Sequence, residues 1–282
     1  MRNITYYYLR IKRSLSKKDY LEYAYYLKRN IIPNLKKPTN ISEFILQKIL
    51  SNNIDQYSKY ADKLEVRNYI ESKGLTNTLP YLYGRTKNAE QIDYNNLPNK
   101  FVIKTNNSCG TNIVCLDKKN LDKESTNLQL NSWIKNTSFK YETHYNLIIP
   151  EILIEEFIED YNGYKIPIDY KFMCFNGKVK LILLCLDRSE LGGGADSYIF
   201  DTNWNFIQNY HTKYKENPNF PKPHNFDDLI STAEILANDF DFVRVDLYNS
   251  KRGIIFSELT FTPGMGILST FTIEALEYIY EK

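Results

Sequence analysis

Arg244-Val245-Asp246-Leu247-Tyr248 is followed, after a short turn, by Gly253-Ile254-Ile255-Phe256-Ser257-Glu258-Leu259-Thr260-Phe261-Thr262-Pro263-Gly264-Met265-Gly266. Two β-rich runs joined by a Gly-containing turn predict a hairpin that sets Asp246 beside Glu258. Glu258 sits in an apolar run, where a carboxylate is costly unless a cation or hydrogen bonds compensate it. One or two carboxylates, with water and phosphate oxygens filling the other positions, are how Mg2+ is held beside a nucleotide polyphosphate. A satisfied strand-end acid at 246 and an ion pair between Arg244 and Glu258 would leave the same pattern without a metal.

Upstream of this hairpin the texture is mixed. A helix is expected over 226–238, and strands over 101–104, 112–116, 152–157, 170–175, 179–186 and 198–200. Asn176-Gly177 between two of them is a two-residue hairpin signal. Another helix is expected over 121–134. The first ninety or so residues read as helical: Ser16-Lys17-Lys18-Asp19 opens a run to Asn30, Asn40 caps 41–50, and 62–73 ends before Gly74 as its left-handed stop. A Pro- and Asn-rich passage over 79–99 separates the two textures. Helices followed by strands with hairpins favour α+β layers over a doubly wound parallel sheet.

Several segments carry polar groups suited to a ligand. Asn106-Asn107-Ser108-Cys109-Gly110-Thr111 joins two strands and offers backbone N–H groups and hydroxyls to phosphate, with Lys104 just before it. The same loop is also an ordinary turn. Ile154-Glu155-Glu156-Phe157-Ile158 is an apolar strand ending in acids, whose backbone edge and side chains suit an adenine or simply a solvated strand end. Alternation puts Asp169 and Lys171 on one face, as an ion pair also would. Arg188 ends an apolar strand at a place where a guanidinium could meet phosphate.

The 282 residues suffice for one or two packed units with a real core. The net charge of +2 arises from 36 basic against 34 acidic residues, which argues against nucleic acid as a partner. Cys109, Cys115, Cys174 and Cys185 lack metal-site spacing and read as buried thiols of a reducing compartment. The amino end lacks the apolar core of a signal peptide and no stretch suits a membrane span, so a cytoplasmic location is expected.

With these residues in place, the chain resembles ATP-grasp proteins, and among them the TupA-like branch associated with teichuronic acid and other surface-polysaccharide gene sets. The likeness runs in order from Asp62 to Gly266. Asp62-Lys63 with Val66-Arg67 and Tyr69 resembles the branch's opening motif, and Leu97-Pro98-Asn99-Lys100-Phe101-Val102-Ile103-Lys104 leading to Ser108-Cys109-Gly110 resembles its phosphate-loop segment. Asp169-Tyr170-Lys171-Phe172, Phe175-Asn176-Gly177-Lys178, Asn203-Trp204-Asn205 and the acid-bearing hairpin resemble the later blocks.

The resemblance implies an α+β chain with an ATP-grasp fold: two α+β lobes clamp the nucleotide and a helical N-terminal region precedes them. The implied divisions are 1–95 for the helical region, 96–150 for the small lobe with the phosphate loop, and 151–282 for the C-terminal lobe with adenine and Mg2+ sites. By the same resemblance Lys63, Lys104, Ser108, Gly110 and Thr111 meet ATP phosphates, Glu155, Glu156, Phe157 and Ile158 meet adenine, and Asp169 meets ribose. Asp246, Glu258 and Thr260 correspond to the Mg2+ ligands, Arg244 to the arginine that steadies an acyl-phosphate, and Lys171 and Arg188 to further catalytic groups. Thr260 stands where many relatives carry Asn, Asn107 and Cys109 stand where Gly or His is usual, and Gly192-Gly193-Gly194 replaces bulkier residues. No Rossmann-like pre-domain is resembled. The implied activity is ATP-dependent joining of a carboxylate to an amine on small, sugar-linked substrates. A kinase, or a nucleotide-binding module that assembles polysaccharide enzymes without turnover, remains as an alternative.

Overall fold

The computed structural model describes residues 16–108, 110–135, 138–186 and 196–281. Arg188, Cys109 and the Gly192-Gly193-Gly194 run lie outside the described residues. Two antiparallel sheets organise the chain. The first is built from β1 (Leu82–Thr86), β2 (Phe101–Thr105), β3 (Asn112–Cys115) and β4 (Ile152–Glu156) in the order β1-β4-β2-β3. The second takes β5 (Asp169–Phe175), β6 (Lys178–Leu186), β7 (Asp196–Phe200), β8 (Phe242–Ser250) and β9 (Gly253–Thr260) in the order β7-β6-β5-β8-β9.

Most expected elements form close to their expected bounds, and local chemistry explains the shifts. In α1 (Lys17–Arg29) the Ser16 hydroxyl accepts from the Asp19 N–H at 3.2 Å, and in α2 (Ile41–Leu50) Asn40 accepts from the Glu43 N–H at 3.1 Å. The helix expected over 62–73 is only α4 (Val66–Ser72), following a one-turn α3 (Ser58–Ala61). Asp62 accepts the Leu64 N–H at 2.8 Å in an Asx-type turn, which delays the helix. Asp122 similarly accepts from the Ser125 N–H at 3.0 Å and starts α5 at Lys123–Lys135. At the β5–β6 hairpin Asn176 and Gly177 take φ of 50° and 74°, the left-handed pair that a type I′ turn requires. α6 (Phe226–Ala237) lies against the second sheet, and α7 (Ile273–Tyr280) closes the chain.

The divisions at 95 and 150 do not follow the sheets. β1 lies inside the segment expected to be helical, and β4 lies beyond residue 150, yet both pair in the sheet that holds β2 and β3. Nor do the N-terminal helices stand apart: Leu21, Tyr25, Ile45 and Ile49 share one core with Phe172, Val245 and Leu276. A smaller core, with Phe101, Ile103, Leu130 and Ile154, lies under the first sheet. Odd residues of β2 face that core, which leaves Val102 and Lys104 to face the other sheet.

His144 is fully buried with no hydrogen-bond partner at either ring nitrogen. Burial pulls its imidazole down from 6.5 to about 4, with Asp55 opposing. The unfolded chain therefore binds a proton below about pH 6.5 that the fold refuses until about pH 4, so stability falls as pH drops through that window. From pH 7 to pH 5 this group is expected to cost about 2 kcal/mol. Urea unfolding at both pH values should show the loss in the native protein and not in His144→Phe; an equal loss in both would assign the effect elsewhere.

Candidate active site

Strand pairing places Asp246 directly opposite Glu258, Arg244 opposite Thr260, and Lys171 of β5 opposite Asp246. Just after the acid pair the β8–β9 register shifts, with Leu247 opposite Phe256, leaving Ser257 as the extra residue of a bulge. Bulges re-aim side chains beside functional sites, and here Phe256, Ser257 and Glu258 all reach one cavity.

Arg244 is the hub of the charged groups. Its Nε donates to Asp246 Oδ1 at 2.6 Å, and one terminal nitrogen donates to Asp246 Oδ2 at 2.7 Å, Glu258 Oε1 at 2.8 Å and Thr260 Oγ1 at 3.0 Å. Lys171 Nζ donates to Asp246 Oδ2 at 2.5 Å and lies 3.3 Å from Asp169. Lys63 Nζ stands 3.8 Å from Glu258 Oε2 and donates to the Ser108 carbonyl at 2.5 Å. Burial opposes ionisation of Glu258, but Lys63, Arg244 and Lys171 outweigh it and hold the carboxyl well below its usual range. Burial raises Asp246, with Arg244 and Lys171 pulling against it. Both cations are in turn held above their ordinary values, because the acids around them overcome burial. The ion pair between Arg244 and Glu258 is thus present and is part of a larger network.

Hydroxyls hold the loop that follows β2 together. Thr105 Oγ1 lies 2.9 Å from Ser108 Oγ and 2.6 Å from Thr111 Oγ1, and the latter two oxygens are 2.5 Å apart. Asn106 anchors the loop, donating to Asp62 and to the Ile149 carbonyl and accepting from the Glu151 N–H at 2.7 Å.

One cavity of about 240 Å³ between the sheets gathers these groups. It is lined by Lys63, Lys104, Ser108, Gly110 and Thr111 from one side, by Glu155, Glu156, Phe157 and Ile158 from β4 and its exit, and by Asp169, Lys171, Arg244, Asp246 and Glu258 from the second sheet. Thr260 adjoins it, donating to Glu258 Oε1 at 3.0 Å. The sequence reading missed the apolar walls Val102, Val114, Ile166, Pro167, Tyr248 and Phe256. Alternation offered a signal for some of them, since Val102 shares a strand face with Lys104 and Tyr248 lies two residues from Asp246. These side chains make part of the lining apolar, beside the charged groups.

The acids fit a divalent cation of the hard kind. Their donors are oxygens only, and two neighbouring carboxylates are what Mg2+ needs when phosphates supply the rest. Among the described residues no group of three or more His, Cys, Asp and Glu is arranged to hold a metal.

Two antiparallel sheets facing across a cavity lined by both apolar and charged side chains have the architecture of an ATP-grasp fold. A family model described as TupA-like ATP-grasp matches residues 39–277, and the chain belongs to that family. No curated protein matches the sequence. Among solved structures, the L-amino acid ligase from Bacillus licheniformis is similar at 12% identity and a TM-score of 0.49, covering 80% of this chain and 46% of its own. The D-alanine–D-alanine ligase from Helicobacter pylori is similar at 16% identity and 0.43, covering 78% and 60%. The corresponding ligase from Bacillus anthracis, solved in complex with ATP, is similar at 15% and 0.40, covering 72% and 55%. The chain thus spans about half the length of these structures.

Proposed function

We propose that the protein is an ATP-dependent ligase that joins a carboxylate to an amine through an acyl-phosphate. The observation that carries this reading is Arg244, held across both Asp246 and Glu258 in a cavity that Lys63 and Lys104 also line. Adenine occupies the apolar part of the cavity beside Phe157 and Ile158, with Asp169 toward the ribose. Lys63, Lys104 and the loop at Ser108, Gly110 and Thr111 draw the phosphates toward the acids. Asp246 and Glu258 would hold Mg2+, with Thr260 as a neighbouring oxygen; the ion supplies charge neutralisation on the transferring phosphoryl group. Arg244 and Lys171 receive the substrate carboxylate and orient it for attack on the γ-phosphorus. The amine then attacks the acyl carbon, Arg244 stabilises the negative charge developing on its oxygen, and phosphate leaves.

As the family resemblance implies, the substrates are a uronic acid or amino sugar of a surface polysaccharide and an amino acid or amine. The test is direct. Purified protein is incubated with MgATP and pools of uronic acids, amino sugars and amino acids, and ADP and free phosphate are measured separately. Equal release of both, dependent on a carboxylate and an amine together, is expected. ADP without free phosphate would assign a kinase instead. No turnover in any pool, with ATP binding indifferent to Asp246→Asn and Glu258→Gln, would leave a binding module.

A further inference from the structure

We infer that Arg67 is a positioning residue for the nucleotide phosphates: it secures the carboxylate of Glu155 so that Lys104 is released toward the phosphates without stranding a buried anion. The inference rests on the nucleotide reading of the cavity and adds a residue outside it.

Glu155 lies within β4 with its side chain only 5% exposed, and the structure sets two cations on it, one at each oxygen. Lys104 Nζ is 2.6 Å from Oε2, and Arg67 is 3.5 Å from Oε1. Lys104 reaches Glu155 diagonally across the β2–β4 pair, where Val102 is opposite Glu155 and Lys104 opposite Leu153. Lys104 and Glu155 both line the cavity, whereas Arg67 comes from α4 behind it. A second guanidinium nitrogen of Arg67 donates to the Pro80 carbonyl at 3.0 Å, which fixes the fork in place.

The two cations differ in what they can do. Lysine carries a compact charge on a flexible stem and can turn from one anion to another, while a guanidinium tied by a hydrogen bond to a backbone carbonyl stays beside the carboxylate it pairs with. A buried carboxylate stripped of its cation is strongly destabilised. Were Lys104 the sole partner, Glu155 would hold it back from phosphate; with Arg67 on the other oxygen, Glu155 remains compensated when Lys104 turns. Arg67 therefore acts on nucleotide affinity through Glu155.

Titration calorimetry with MgATP and with adenosine separates this from simple scaffolding, because adenosine fills the apolar part of the cavity without calling on Lys104. Arg67→Gln is expected to weaken ATP about tenfold and adenosine by no more than about twofold. Arg67→Lys, which restores the charge, should recover part of the loss. In a Glu155→Gln background, where no carboxylate retains Lys104, adding Arg67→Gln should leave ATP affinity unchanged from Glu155→Gln alone. Equal weakening of ATP and adenosine would overturn the inference, since Arg67 would then shape the cavity through Pro80. So would an undiminished ATP loss in the Glu155→Gln background, and this comparison remains available if Arg67→Gln alone does not fold. If the native protein binds neither ligand, the nucleotide reading itself fails, whatever the variants do.

Discussion

Glu258→Gln is expected to lower the rate of ADP release about a thousandfold while leaving adenosine binding within about twofold. The substitution keeps the shape of the side chain and removes one charge, at the position where three cations converge. Lys63, Arg244 and Lys171 hold this carboxyl far below its usual range, so it is an anion throughout the accessible pH range. Its loss removes one of two carboxylates able to hold Mg2+ and also unbalances Lys63 and Arg244, whose placement depends on it. A metal ion contributes several kcal/mol of charge stabilisation in phosphoryl transfer, which sets the scale of the effect. Because Gln keeps the shape of the side chain and still donates and accepts hydrogen bonds, the apolar part of the cavity should be little disturbed and adenosine should still bind. Initial rates with the productive substrate pair would measure the loss, and less than a tenfold drop would remove Glu258 from the metal shell.

The acid pair was legible because it depends on local rules. Period-two alternation, a turn glycine and an acid misplaced in an apolar run are all visible within a few residues of Asp246 and Glu258. Asn176-Gly177 and the Asn40 cap were legible for the same reason. β1 was not: Leu82-Tyr83-Gly84-Arg85-Thr86 has a glycine at its centre, lies in a Pro- and Asn-rich passage, and is stabilised as an edge strand by pairing with β4, some seventy residues later. The apolar walls of the cavity were hidden in a similar way, since Val102 and Phe256 come together only when the two sheets face each other. The network itself was half visible. A pairing of Arg244 with Glu258 could be guessed from the hairpin, but the role of Lys171 requires β5 beside β8, and the link from Lys104 to Glu155 requires β4 beside β2.

Arg244→Leu is expected to destabilise the protein by about 3–5 kcal/mol, the usual cost of leaving buried charge without its partner. Leucine fills part of the space but bonds neither acid, so Asp246 keeps Lys171, Glu258 keeps Lys63 at 3.8 Å, and two carboxylates in directly opposite register face each other. Lysine at 244 should recover little, because one ammonium cannot reproduce a fork that bonds both oxygens of Asp246 and also Glu258 and Thr260. This variant also isolates the metal question from turnover. In the native protein the guanidinium already neutralises the acid pair, so Mg2+ without nucleotide should move the urea midpoint little. Without Arg244 the same two carboxylates should take the ion more readily, and Mg2+ at about ten times its dissociation constant would return about 1.4 kcal/mol of stability. Urea unfolding of both proteins with and without Mg2+ gives the answer. A gain confined to Arg244→Leu and lost again in Arg244→Leu with Glu258→Gln would assign the ion to the acid pair. A variant that is destabilised yet indifferent to Mg2+ would make the pair a structural ion network and leave nucleotide chemistry without its metal.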